Sequence, residues 1–231
     1  MTNASTSAAS VPSDRVVLAA LLHRLGSPLG ALVNYVHLAD EGNHADPLLR
    51  DAWAGIHSAI KDLRTALDGG RRWLNALDVD VASKRPLRDI VDAAEARVTT
   101  AAGTQPVVTR ALGAAEQMPV PVALEDVLAE LFLNAARCGG AKDIHVRVQL
   151  EPGTRMLRIA VDDDGAGWPV DDRGRAFEPF RRWPGSSEVP PAGPGCGLSI
   201  VALTAARLGG EAWGEHGARG GACVVVTLAA T

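Results

Sequence analysis

Cysteine is scarce: the 231 residues hold three, Cys138, Cys196 and Cys223. Their odd number and irregular spacing exclude a disulfide framework and a structural zinc site, and fit a reducing compartment. A basic excess is missing too. The 23 Lys and Arg are outnumbered by 27 Asp and Glu, giving a net charge of −4 and a pI near 5.9. That balance argues against a broad nucleic-acid-binding surface. No apolar run approaches the ~18–20 residues needed to span a bilayer, so no membrane segment is expected. The opening MTNASTSAASVPSD has neither the basic start nor the apolar centre of a secretion signal. These absences predict a cytoplasmic globular protein. Hydrophobic residues at 47% against 22% charged supply ample material for a core.

Composition divides the chain into a Ser/Thr/Ala-rich tail (1–14) expected to be disordered, a glycine-poor helical module (15–80) and a glycine-rich α/β module (81–231). In the helical module Leu18, Leu22, Leu25, Leu29, Leu32 and Val36 recur at heptad steps. A second seam runs through Leu49, Trp53, Ile56, Ile60, Leu63 and Leu67 and resumes at Leu74 and Leu77. Between them Gly42 and Asn43 read as a helix end, and Asp46-Pro47 as an N-cap followed by a first-turn proline. An antiparallel helical hairpin results. Its core is thin, so a second copy should complete a four-helix bundle: a homodimer is expected.

His23 stands beside the first seam, with the small residues Gly26, Ser27 and Gly30 on its face. Two glycines and Pro28 are costly in a helix, and Pro28 should bend it. This accepted cost reads as a surface kept clear for a bulky partner. The plainer reading is an incidental surface histidine beside a bend.

In the α/β module Glu125–Arg137 is predicted helical, with Val127, Leu128, Leu131 and Ala135 inward and Glu130 and Asn134 together on another face. Alternation predicts strands at Ile144–Leu150 and Leu157–Val161. The second runs into Asp162-Asp163-Asp164-Gly165-Ala166-Gly167, where a strand-end carboxylate could accept from an adenine amino group and the glycines allow close backbone approach. Alone, an acidic turn produces such a cluster easily. Gly193-Pro194-Gly195-Cys196-Gly197-Leu198 then opens a helix whose N-terminal amides and dipole suit phosphate. It lacks the GK[ST] ending of a Walker loop, and Pro190-Pro191 leaves no preceding strand for a Rossmann turn. Gly209-Gly210 and Gly220-Gly221 bracket a terminal hairpin.

Taken in order, these motifs resemble those of the bacterial sensor histidine kinase core, over residues ~15–231. His23-Arg24-Leu25-Gly26-Ser27-Pro28-Leu29 is similar to the H box, implying that His23 is the phosphoacceptor and that Ser27 holds a position linked to dephosphorylation of a partner. Glu130 to Ala135 is similar to the N box, implying that Asn134 holds Mg²⁺ with Glu130 beside it. Asp163, Gly165 and Gly167 match the first glycine box, with Asp163 implied to bind adenine. Phe177 to Phe180 match the F box, and Gly193, Gly195, Gly197 and Leu198 the second glycine box, which forms the ATP lid. The resemblance implies an α + α/β fold: a dimeric four-helix bundle of helical hairpins, followed by an α/β sandwich of the Bergerat ATP-binding type. It implies ATP and Mg²⁺ as cofactors and a response-regulator receiver domain as partner.

Arg24 departs from the family, which usually has Glu or Asp there to help deprotonate the imidazole; arginine cannot act as a base. The Ser-Pro-Leu-Gly-Ala-Leu run also resembles bacterial histidine phosphotransferases built on the same dimer. Two rivals therefore stand beside the kinase: a phosphotransferase or pseudokinase adaptor that presents His23 without autophosphorylation, and another ATPase or an anti-sigma-type serine kinase of the same superfamily. The last leaves the H box and the hairpin unexplained. No sensory region is read in the sequence.

Overall fold

A computed structural model describes residues 13–41, 47–101, 106–168, 173–181 and 194–230. The expected disordered tail, most of the predicted turn between the first two helices, and Gly193 lie outside the described residues.

Helices α1 (Asp14–Glu41) and α2 (Pro47–Asn75) form the hairpin. They are antiparallel: Tyr35 of α1 meets Gly55 while Leu21 meets Gly70 farther along α2. Pro47 takes the first position of α2, and α1 continues as helix through Pro28.

The buried stripe differs from the expected seam. On α2 it runs through Ala52, Ile56, Ala59, Ala66 and Trp73, while Trp53, Ile60, Leu67 and Leu74 are exposed. On α1, Val17 is buried, whereas Leu18 and Leu22 are 57% and 60% exposed and Leu29 and Val36 are also out. The expected and buried stripes share Ile56, and Leu25, Leu32 and Leu63 of the expected seam are half-buried; the exposed members lie one residue from buried ones, a turn of about 100° around the axis. Small side chains on the inner stripe let the helices approach closely; Gly55, where a Cβ would come within 2.5 Å of the Tyr35 ring, shows how closely. Many of the larger leucines stay outside.

A second expectation also changes. Asp14–His37 is long and apolar enough to cross a membrane by length and composition, with a mean hydropathy of 1.7 over its best 18 residues. A search for unbroken apolar runs passes over it, because Arg24, His23 and small polar residues interrupt a stretch whose average is nonetheless high.

A 3₁₀ turn (Ala76–Asp78) leads into the α/β part. Its elements are β1 (Lys84–Pro86), α3 (Leu87–Ala101), β2 (Val107–Ala111), β3 (Pro119–Pro121), α4 (Leu124–Asn134), β4 (Asp143–Leu150), β5 (Met156–Asp163), α5 (Gly197–Arg207), β6 (Ala212–His216) and β7 (Ala222–Ala229). The main sheet has the order β2-β4-β5-β7-β6, parallel only between β2 and β4; β1 and β3 make a small antiparallel pair. Helices α3, α4 and α5 cover one face. Ile90, Val98, Leu128, Phe132 and Val201 interlock there with Ile144, Val146, Leu157, Ile159 and Val226. The opposite face carries a smaller cluster of Ala160, Cys223 and Val225 under Trp213. This is the expected helical region followed by an α/β sandwich.

The predicted helix 125–137 stops its regular turns at Asn134 and widens into a π-helical turn, Ala135–Gly139. Gly140, at φ +64°, then reverses the chain. Its predicted inward residues Val127, Leu128, Leu131 and Ala135 are all buried.

Phe132 is fully buried at the centre of the helix–sheet core. Phe132→Ala should lower unfolding free energy by about 3–5 kcal/mol, whereas Val107→Ala on the exposed edge strand should stay within roughly 0.5 kcal/mol. Urea titrations of the two variants against the parent chain would check this contrast.

Candidate active site

Strand β5 drives a carboxylate into the sheet's end. Asp163 is 8% exposed, and its Oδ1 accepts the backbone N–H of Gly165 at 2.9 Å and of Ala222 at 3.1 Å. Among the described residues no donor reaches Oδ2, which is left for a ligand. Burial raises the Asp163 pKa above the ordinary carboxylate range; the two amide bonds oppose that rise and the neighbouring Asp162 and Asp164 charges add to it. Asp164, in contrast, is solvated and accepts the Lys142 and Asp143 amides at 2.8 and 3.0 Å. The amide of Asp143 leads in holding its pKa down. The two adjacent carboxylates are thus set apart by environment.

The glycines here are required by close approach. Gly167 has φ +73° and lies against the carbonyls of Gly220 and Gly221. A Cβ on Gly221 would collide with Asp163 Oδ1 and its carbonyl oxygen. The loop ending at Trp168 is tied to β6 by Trp168 Nε1–H donating to the Glu215 carbonyl at 2.7 Å.

One turn of α4 brings Glu130 and Asn134 to a common face, and the first turn of α5 comes up against them. A Cβ on Gly197 would lie 2.9 Å from Glu130 Oε2 and 3.2 Å from Asn134 Nδ2. Asn134 Nδ2 is buried with no hydrogen-bond partner. One carboxylate, one amide and the free amides of a helix N-terminus fit a small hard cation shared with phosphate oxygens. Such cations take one or two protein oxygens and draw the rest from substrate and water. Among the described residues no cluster of three or more His, Cys, Asp or Glu could hold a metal unaided. Gly195, at φ +76°, presses its Cα face onto the Arg181 carbonyl, where a Cβ would stand 2.6 Å away. Leu198 is half-buried against the core.

His23 is exposed on α1 beside a cleft of about 400 Å³ between the two helices, shared with Ser27, Tyr35, Asp62 and Thr65. Gly26 and Gly30 have open space above them. The neighbouring Arg24 does not face the cleft alone: its Nη2 donates to the Pro194 carbonyl at 3.4 Å, across 170 residues. Phe180 turns to the same junction. It is buried with Val17, Trp73, Cys196 and Ile200, where hairpin and sandwich meet, rather than packed with the Asp163 end of the sheet. Sequence reasoning did not reach Arg72, which forms an ion pair with Glu130, nor Gly69, whose Cα faces Pro194 and Phe180. The one signal available was the unusual Gly69-Gly70 pair inside a helical pattern.

Comparison with known proteins bears directly on this geometry. Residues 120–231 match the family of histidine kinase-, DNA gyrase B-, and HSP90-like ATPases. Sensor-type histidine kinase PrrB of Mycobacterium leprae is 36% identical over 113 residues, 48% of this chain and 24% of that protein. Sensor protein CseC of Streptomyces coelicolor is 30% identical over 202 residues, 86% of this chain and 36% of that protein. The glycine-rich half of the chain is thus similar to the ATPase part of sensor histidine kinases. The chain spans well under half the length of these curated relatives. Histidine kinase AdeS of Acinetobacter baumannii shares the fold, with a TM-score of 0.58 at 16% identity, over 90% of this chain and 98% of that one. The matched segment holds Glu130, Asn134, Asp163 and the α5 N-terminus; the hairpin with His23 lies before it.

Gly221→Ala forces a methyl into the space of Asp163. The chain should lose about 1–3 kcal/mol of stability together with affinity for adenine nucleotide. Thermal unfolding with and without nucleotide checks both, and an unchanged ligand-induced shift in Tm would contradict the second.

Proposed function

We propose that this chain phosphorylates its own His23 from ATP and passes the phosphoryl group to an aspartate of a response-regulator receiver domain. The observation that carries this reading is the Arg24–Pro194 hydrogen bond, which sets the residue next to His23 against the loop that opens α5. The hairpin histidine and the nucleotide machinery thereby belong to one assembly.

In this reading Asp163 Oδ2 accepts the adenine amino group, and the open backbone at Gly165 and Gly167 lets the base approach. The N-terminal amides of α5, from Gly195 through Leu198, receive the phosphates. Glu130 and Asn134 would hold Mg²⁺, which when bound neutralises phosphate charge and fixes the triphosphate. The lone pair of a His23 ring nitrogen forms the N–P bond while the bond from the γ-phosphorus to the β,γ-bridging oxygen breaks, and ADP leaves with that electron pair. Placement and charge neutralisation supply most of the acceleration. The phosphoryl group next moves to a receiver carboxylate docked over Gly26, Ser27 and Gly30, whose lack of bulk leaves room for it. Ser27 is placed to orient water for the reverse, dephosphorylating step.

The exposed leucine stripe of α1 and α2 is read as the contact with a second copy, which would complete a four-helix bundle. Residues 15–80 then serve as the dimerisation and phosphoacceptor domain and 81–231 as the ATP-binding domain, working in the cytoplasm where ATP and receivers are found. Arg24 favours one alternative, a phosphotransfer adaptor that presents His23 without autophosphorylation.

Incubation with γ-labelled ATP and Mg²⁺ should put acid-labile label on the chain, abolished in both His23→Ala and Asp163→Ala. Nucleotide binding without label would favour the adaptor; label persisting in His23→Ala would remove His23 as the nucleophile. Acidity adds a second test. The adenine contact needs ionised Asp163, so nucleotide affinity should fall on acidification at a higher pH than an ordinary aspartate would give. Stability should move oppositely: a raised native pKa means protonation relieves a buried charge, so this group's contribution improves as pH falls. Calorimetric titrations between neutral and mildly acid pH, with Asp163→Asn losing the dependence, check the sign.

A further inference from the structure

The junction between hairpin and sandwich is built around a charge that the proposed chemistry also needs. Arg72 reaches from α2 to Glu130 of α4, in an ion pair whose acid is only 12% exposed. Among the described residues Glu130 is the one acid within ion-pair reach of the Arg72 guanidinium. Around the pair lies a small apolar patch: Val17, Trp73, Phe180, Cys196, Ile200 and Leu203. Gly69 forms a notch in α2 for it. A Cβ there would stand 2.5 Å from Pro194 Cβ and 3.1 Å from the Phe180 ring, and its carbonyl receives the Cys196 thiol at 3.7 Å. The sandwich side of the patch uses Cys196 and Ile200 at the opening of α5, where the phosphates are proposed to bind.

We infer that Arg72 is a resident counter-ion that reserves Glu130 for the hairpin, so that metal–nucleotide loading and release of the ATP-binding part from α2 are one competitive event. This rests on the functional reading above. Arg72 pairs with Oε1 of Glu130 while Oε2 faces Gly197 and Asn134, so a divalent cation held there would share one carboxylate with the guanidinium, and the two cations would repel one another. A metal that takes Glu130 leaves Arg72, whose side chain is 41% exposed, without its ion-pair partner and beside a second cation, a state relieved when the junction opens. Linkage makes the effect reciprocal: the junction weakens nucleotide binding by the factor by which bound nucleotide weakens the junction, so a substitution that opens the junction tightens nucleotide binding.

The test uses the full chain and a non-hydrolysable ATP analogue with Mg²⁺. Arg72→Gln should bind it at least about fivefold more tightly than the parent, and Arg72→Lys, which keeps the charge, should fall between them. Gly69→Ala is the second variant. It favours helix in α2 yet fills the notch without touching Glu130, and it should tighten binding as well. Cys196 is fully buried at the junction, and its thiol is pushed up to about 11 by that burial. Its labelling by a thiol reagent, located by peptide mass analysis, should be faster in both variants before nucleotide is added. Unchanged or weaker analogue binding in Arg72→Gln overturns the inference, weaker binding meaning that Arg72 contacts the phosphates itself. Unchanged binding and labelling in Gly69→Ala overturn it equally. No binding by the parent or by any variant defeats the functional reading instead.

Discussion

Strand β5 is hydrogen-bonded along both edges, to β4 and to β7, and the arrangement of the sandwich follows from that double pairing. Its alternate residues Leu157, Ile159 and Val161 are committed to the helical layer. Register against β4 and β7 then leaves no freedom at the strand's end: Asp162 and Asp163 must enter the sheet, and the backbone at 217–222 must fold over them. A carboxylate buried this way is unfavourable unless it is solvated by protein, and the amides of Gly165 and Ala222 do that on one oxygen only. The incomplete solvation makes Asp163 a site rather than a flaw in the core.

The hairpin follows a different logic. Its inner stripe is mostly alanine and glycine, so the helices come close while burying little apolar area per residue. Many of its leucines remain outside, on a stripe one position away. Such a pair gains limited stability from its own contacts, which makes it dependent on what covers the outer stripe and on the patch it shares with α5. The same chain therefore combines a densely packed sandwich with a helical region whose order is largely conditional.

How much could be read beforehand tracks the range of the interactions. Strands β4 and β5, the terminal hairpin and helix α4 were legible because alternation and heptad steps are local, and the glycine clusters because their φ values and close approaches are set within a few residues. The order of motifs carries the resemblance to sensor histidine kinases. Elsewhere the reading was less complete. Helix α3 and the small β1–β3 sheet were not separated from their surroundings, since their stripe of Leu87, Ile90, Ala94 and Val98 acquires meaning only against α4. Part of the seam was placed one residue off because leucine outweighs alanine in any hydrophobic pattern, while close packing prefers the smaller side chain. Arg72 and Glu130 are 58 positions apart (130 − 72) with nothing local to pair them. The F-box resemblance groups Phe180 with the ATP-binding motifs, and only tertiary packing shows it seated at the junction with Val17 and Trp73.

Glycines 69 and 70 deprive the last turns of α2 of up to about 2 kcal/mol of helix propensity relative to two alanines. The notch that receives Pro194 is therefore also the softest point of the helix that carries it. Contacts made there by the sandwich and by Leu21 offset that deficit, so the helicity of α2 around residue 69 and the occupancy of the junction are coupled quantities. Backbone amides in that turn should exchange with solvent as the junction opens, which makes one stretch of helix an internal gauge of how the two halves of the molecule are engaged.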